Sequence, residues 1–179
     1  MDIISTSIWA VGSIGTLIAA FLVYKTLRSN HDWQRREYAQ NIIREWNANT
    51  SKHWQALEQV FPHLRDVDRS SGKVTEITKE KAKQIYTCDP TNKVYWNLRY
   101  HIVELLNYLE FVAMSYTQKV ADSYIIETCV KDTMIKYYDL LKNVIDIIEE
   151  CEGYQPWKPY ITLVGKWKSP QPSMRQATA

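Results

Sequence analysis

Residues 94–116, VYWNLRYHIVELLNYLEFVAMSY, place Val94, Leu98, Ile102, Leu105, Leu109, Val112 and Tyr116 at spacings of 4, 4, 3, 4, 3 and 4. That is the repeat of an α-helix with one apolar face. A second run follows the same rule: Ile126, Val130, Thr133, Tyr137, Leu140, Val144, Ile147 and Cys151 recur at 4, 3, 4, 3, 4, 3 and 4. Only the few residues around Lys119 to Asp122 separate the two runs, so the spacing predicts two long antiparallel helices. Leu106, Met134, Leu141, Ile145 and Ile148 widen both stripes beyond a two-helix seam. Covering them takes at least three or four helices, and the fold class is therefore all-α, an antiparallel helical bundle.

Residues 62–77 hold Pro62, Asp66, Asp68, Ser70, Ser71 and Gly72 without an apolar period, and read as the main loop. Thr78 can cap a short helix from Lys79 to Tyr86, and Asp89-Pro90 offers a cap followed by proline at the first helical position. Gly153 suits a helix C-terminus. A short terminal helix from about Pro159 to Trp167 can fold back through Ile161, Leu163, Val164 and Trp167. Upstream, Lys25 to Asn47 contains neither Pro nor Gly, so a rod is expected there, with Ser29-Asn30 as an alternative break. Thr50 or Ser51 is expected to cap a further short helix that ends at Val60 before Pro62.

From Ile3 to Tyr24 run 22 residues without Asp, Glu, Lys, Arg or His. As a helix the run is about 33 Å long, matching a hydrocarbon core of about 30 Å. A cleaved signal peptide would place basic residues before the apolar stretch, whereas Lys25, Arg28, Arg35 and Arg36 follow it. The expected organisation is a transmembrane anchor at 1–27, a cytoplasmic bundle at 28–168 and a disordered tail at 169–179. By the positive-inside rule the N-terminus lies outside and the span is single-pass in a bacterial inner membrane. Trp9 and Tyr24 sit where headgroups meet the core. Within the span Gly12, Gly15, Thr16, Ala19 and Ala20 share one helical face, a groove that lets a second copy approach. The other reading of those five is a plain anchor.

Composition removes several classes. With 45% apolar and 23% charged residues among 179, and 5 Gly and 6 Pro against 7 Trp and 12 Tyr, the chain is a folding sequence rather than a low-complexity one. A net charge of +2 does not mark a dedicated nucleic-acid binder. Cys88, Cys129 and Cys151 are odd in number and lack CxxC spacing, which favours a reducing compartment over a disulfide framework. The Ser70-Ser71-Gly72-Lys73 run lacks the first glycine and the closing Ser or Thr of a phosphate loop.

Leu106-Asn107-Tyr108-Leu109-Glu110, followed by Ala113, resembles a bacterial family of unknown function made of small, often membrane-anchored helical proteins. The similarity continues through Ala121-Asp122, Tyr137 to Leu141, Ile145, Tyr160, Leu163 and Trp167, and covers roughly residues 95–168. The family pattern has a glycine before the Ala-Asp pair and a basic residue after the second long helix. Here those places hold Lys119-Val120 and Glu149-Glu150-Cys151-Glu152. The resemblance implies an all-helical cytoplasmic module and supplies no catalytic residue.

Three residue sets are candidates for chemistry. His101, Glu104, Asn107 and Glu110 fall on adjoining turns of one helix and could form a buried polar network that fixes helix register, or a solvated face. A di-metal bundle would need Glu-x-x-His on two helices, and only one reversed pair is present. His31, His53 and His63 have no Cys or His at ligand spacing, so no metal or other cofactor is expected. Cys129 and Cys151 are read as packing groups. After Glu152 there is no acid, and Trp157, Lys158, Lys166, Trp167 and Lys168 interleave aromatic and basic groups. Such a set can contact anionic lipid or, less in keeping with the net charge, a nucleotide or nucleic acid. It can also cover the bundle while the charges stay in water.

No catalytic motif is recognisable, so the chain is not expected to be an enzyme. The expected function is a single-span membrane protein whose helical module binds, regulates and self-associates, with a protein partner at the inner membrane. The alternative is a small stress- or phage-defence effector that perturbs the bilayer on sensing a cytoplasmic signal such as a nucleotide.

Overall fold

The structure is a computed structural model that describes the backbone of residues 3–62 and 76–169, and side chains in those ranges from residue 19 onward. Among the described residues the elements are five helices: α1 (Ile3–Val60), α2 (Lys79–Tyr86), α3 (Lys93–Thr117), α4 (Ser123–Glu152) and α5 (Lys158–Lys168). The all-α class follows the two apolar stripes.

α1 is one helix of 58 residues, about 87 Å long. Neither the Ser29-Asn30 break nor the helix capped by Thr50 or Ser51 is formed. Nothing between Lys25 and Phe61 is Pro or Gly, and the polar side chains bond back into the same helix. Asn49 Nδ2 donates to the Glu45 carbonyl at 3.1 Å and Thr50 Oγ1 to the Trp46 carbonyl at 2.9 Å. Ser and Thr bonded in this way continue a helix rather than start one. The helix does end at Val60, ahead of Pro62.

α1 lies antiparallel to α3. Asp122, in the turn beyond α3, donates its N–H to the Arg35 carbonyl at 3.0 Å, Tyr108 Oη donates to the Ile42 carbonyl at 3.2 Å, and His53 meets His101. Ala39, Ile42, Trp46, Thr50, His53 and Leu57, all buried, form the stripe of α1 that enters the core.

The expected pairing of the two long helices is closest near their shared turn, where the Tyr116 hydroxyl donates to Glu127 Oε2 at 3.1 Å. Elsewhere each of the other helices touches both. α1 packs Trp46 against Tyr108 and Trp54 against Tyr137, each pair with tilted rings. The approach to α2 is tied to α4 by the Ile77 N–H on the Leu140 carbonyl at 3.1 Å, and the end of α2 to α3 by Arg99 donating to the Tyr86 carbonyl at 3.1 Å. α5 reaches α3 through Trp157 and α4 through Tyr160, whose buried hydroxyl donates to the Met134 carbonyl at 2.7 Å.

The ends follow local chemistry, with one exception. Thr78 caps α2, Asp122 caps α4 by accepting from the Tyr124 and Ile125 N–H groups, and Gly153 closes α4 at φ +73°. The expected start of α3 at Asp89-Pro90 is a turn instead. Asp89 Oδ1 accepts from the Thr91 N–H at 2.8 Å, and Asn92 is the cap. An Asp two residues before a free N–H satisfies it locally, which draws the backbone into a turn. The segment 63–75 of the expected loop and residues 170–179 of the expected tail lie outside the described residues; Ser169 still closes α5 by donating to the Gly165 carbonyl.

Among the described residues no helix is long and apolar enough to cross a membrane. In the Ile3–Tyr24 run only the backbone is described as far as residue 18, so the packing expected of Gly12, Gly15 and Thr16 lies outside the described residues.

Candidate functional site

His53 sits on the buried stripe of α1 at 4% exposure, and its ring meets His101 of α3 with the two Nδ1 atoms 2.9 Å apart. The rings are edge to face, centroids 5.1 Å apart, and Tyr100 lies edge-on to His101 on the other side. One imidazole must therefore carry its proton on Nδ1 and the other must present a bare Nδ1. Burial first, then Lys52 and His101, push the His53 pKa down, while Glu104 opposes them. The position breaks no helical rule: Trp46, Thr50, His53 and Leu57 follow one another at spacings of 4, 3 and 4. Extending the Ala39–Trp46 stripe by two turns would have put His53 in the core.

The expected network of His101, Glu104, Asn107 and Glu110 is divided rather than continuous. His101 pairs with His53, and Glu104 contributes its charge to that pair. Asn107 Oδ1 instead accepts from the Trp157 indole N–H at 2.8 Å. Glu110 is half-buried and its pKa is raised by burial. Successive residues of a helix are rotated by about 100°, so positions spaced by three drift by about 60° each and four of them fan across more than one neighbour.

Leu106 to Glu110 is the place where three helices join. Leu106 and Leu109 are fully buried, Tyr108 bonds α1 and Asn107 bonds the start of α5. Ala113 and Ala121 are also fully buried.

The C-terminal set covers the bundle. Trp157 is buried, with φ +55° forced on a non-glycine residue at the start of α5. Trp167 packs edge-on against Tyr116 at 5.3 Å, its buried indole N–H turned toward the Tyr116 hydroxyl without a well-formed hydrogen bond. Lys168 pairs with Asp139, and its ammonium also lies over the Tyr138 ring at 5.6 Å. Lys158 and Lys166 remain exposed. Both indoles are thus committed to packing, and the exposed members of the set are Lys158, Lys166 and the Asp139-paired Lys168.

Ala19 and Ala20 are exposed. Cys129 and Cys151 are exposed as well, against the expectation that they pack, while Cys88 is half-buried. Among the described residues no group of three or more His, Cys, Asp or Glu side chains could hold a metal ion. His53 and His101 make a pair only.

A family model, a domain of unknown function, DUF4760, matches residues 10–167. The chain belongs to that family. The DUF4760 match takes in the His53–His101 pair, the junction at Leu106 to Glu110 and all of α5 to Trp167. No curated protein and no solved structure matches the chain.

Proposed function

We propose that this DUF4760 protein is a single-span protein of a bacterial inner membrane, with its N-terminus outside and its helical bundle in the cytoplasm as a binding and regulatory module. The carrying observation is the continuity of α1, which joins the charge-free run directly to the stripe packed in the bundle. Phe21, Leu22, Val23, Tyr24 and Leu27 are each more than half exposed, so the bundle gives this part of the apolar run no cover. A bilayer would remove that surface from water at about 25 cal/mol per Å². Lys25 and Arg28, just beyond, are placed for the anionic headgroups of the cytoplasmic leaflet.

Self-association through Gly12, Gly15, Thr16, Ala19 and Ala20 completes the reading, since small residues let two helices pack closely in lipid. A protein partner at the membrane is the expected client of the bundle. The experiment is alkaline carbonate extraction of membranes from cells expressing the full chain. Retention in the pellet, lost when residues 1–24 are deleted, is the expected result; extraction of the full chain into the supernatant overturns the reading.

The same continuity of α1 suits a second reading, a small stress- or phage-defence effector in which a signal such as a nucleotide reaches the bundle and the span perturbs the bilayer. Loss of membrane potential on induced expression would carry that reading over the first.

A further inference from the structure

The one buried histidine of the core stripe has another imidazole as its hydrogen-bond partner, and the partner belongs to a different helix. The consequences follow from counting protons on four ring nitrogens. In the neutral pair one ring carries Nδ1–H and donates to the bare Nδ1 of the other. A first added proton can go to the free Nε2 of the donor ring. The Nδ1–H···Nδ1 bond then survives and becomes charge-assisted. A second proton has only the accepting Nδ1 to bind. Two N–H groups then face each other across a contact of 2.9 Å, each on a cation, and the contact cannot persist.

We infer that His53 and His101 form a proton-operated latch between α1 and α3, closed while the pair holds at most one added proton and opened by the second. The inference concerns the bundle alone and stands whether or not α1 enters a membrane. Among the described residues, the charged and titratable groups around the pair are Lys52 on α1 and Glu104 and Tyr100 on α3. From α4, Tyr137 faces the neighbouring Trp54, which is also bonded to Glu58. Glu104 favours the first proton, and Lys52 disfavours the second.

What the latch releases is set by its position. Tyr108 holds α1 at Ile42 and Trp46, well before the pair. Beyond the pair, on the same two helix faces, lies a groove of about 540 Å³ lined by Ala56, Gln59 and Val60 of α1 and Val94, Trp96 and Asn97 of α3. The groove starts about one turn from the pair on each helix, at Ala56 after His53 and at Asn97 before His101. Opening the latch removes the polar tie of the last two turns of α1 to α3, leaving them held by Leu57 and by Trp54 against Tyr137, while the Tyr108 contacts stay made.

The test is amide hydrogen exchange of the full chain at about pH 7.5 and about pH 5, a range that brackets ordinary histidine titration, corrected for intrinsic exchange. Protection of residues 53–60 should fall by about tenfold or more at the lower pH, the equivalent of one pKa unit, while residues 39–46 keep theirs. His101→Asn offers an amide at the δ position and does not titrate, so it should hold residues 53–60 equally protected at both pH values. Equal protection in the wild-type chain at both pH values overturns the latch, and so does the same loss in H101N. Should H101N fail to fold, ring ¹⁵N shifts of the wild type decide. Two separated titration steps, the first leaving an Nδ1–H bond intact, are expected; two independent rings near the ordinary value overturn it.

Discussion

The indole N–H of Trp157 donates to the side-chain oxygen of Asn107 at 2.8 Å, and this bond fixes where α5 begins. Trp157 stands at φ +55°, a backbone region that a bulky residue occupies only when its surroundings hold it there. The Ile161 N–H on the Trp157 carbonyl at 3.0 Å starts the helix, and Tyr160 then reaches Met134. The bonds to Asn107 and to the Met134 carbonyl thus tie the first turn of α5 to α3 and to α4.

Trp157→Phe should keep most of the buried ring surface and lose the bond to Asn107. The expected cost is about 1 kcal/mol, the usual net worth of such a hydrogen bond, read as a lower urea midpoint at unchanged slope. An unchanged midpoint would mean that ring packing alone positions α5.

Gly153→Ala should destabilise the end of α4 by about 1 kcal/mol, because the closing residue sits at φ +73°. The added methyl meets nothing within 4 Å, so the loss is conformational and not steric. Thermal unfolding followed by circular dichroism checks it, with Gly153→Asn expected to lose less than Ala.

Stability should decline as pH falls below the ordinary histidine range. Folding lowers the His53 pKa, chiefly by burial. Its contribution is therefore complete above the unfolded value of about 6.5 and is lost as pH falls through the folded one. Glu110, whose pKa burial raises, acts with the opposite sign: its contribution is complete below the unfolded carboxyl value and lost as pH rises through the folded one. Urea midpoints between about pH 7.5 and about pH 5.5 should show the decline, and His53→Gln should flatten it. An equal slope in that variant would assign the decline to other groups.

Ser29→Pro should break α1 without touching the bundle, since residues 19–34 are all exposed and, among the described residues, the first hydrogen bond from the bundle to α1 is at Arg35. Interior proline costs about 3 kcal/mol locally, but the midpoint of the bundle should not move. A lower midpoint would show that the projecting part of α1 supports the core.

The bundle was legible because its apolar period is regular. Leu98, Ile102, Leu105, Leu109 and Val112 are buried as their spacing implies, whereas Val94, in the first turn of α3, is exposed. Caps at Thr78, Asp122 and Gly153 were legible for the same local reason. Asp89-Pro90 misled because Asp serves a turn as readily as a helix start. Thr50 misled because a hydroxyl can bond backward along a helix as well as cap one. The His53–His101 contact was hidden for a different reason. The two residues are 48 apart, and no local spacing brings them together. Only the packing of α1 on α3 does, and the clue was a polar residue on an otherwise buried stripe.

α1 also has a phase. Each residue of an α-helix turns the chain by about 100° and advances it by 1.5 Å, so an unbroken helix fixes the compass bearing of the bundle relative to the segment before Lys25. One residue inserted among the exposed positions 28–34 would swing the whole bundle by more than a quarter turn while leaving its core intact. Seven inserted residues would bring it back to within about 20° of its original bearing, though about 10 Å further out. A face of the bundle that must meet something fixed in space would therefore tolerate added length in sevens and fail with single additions.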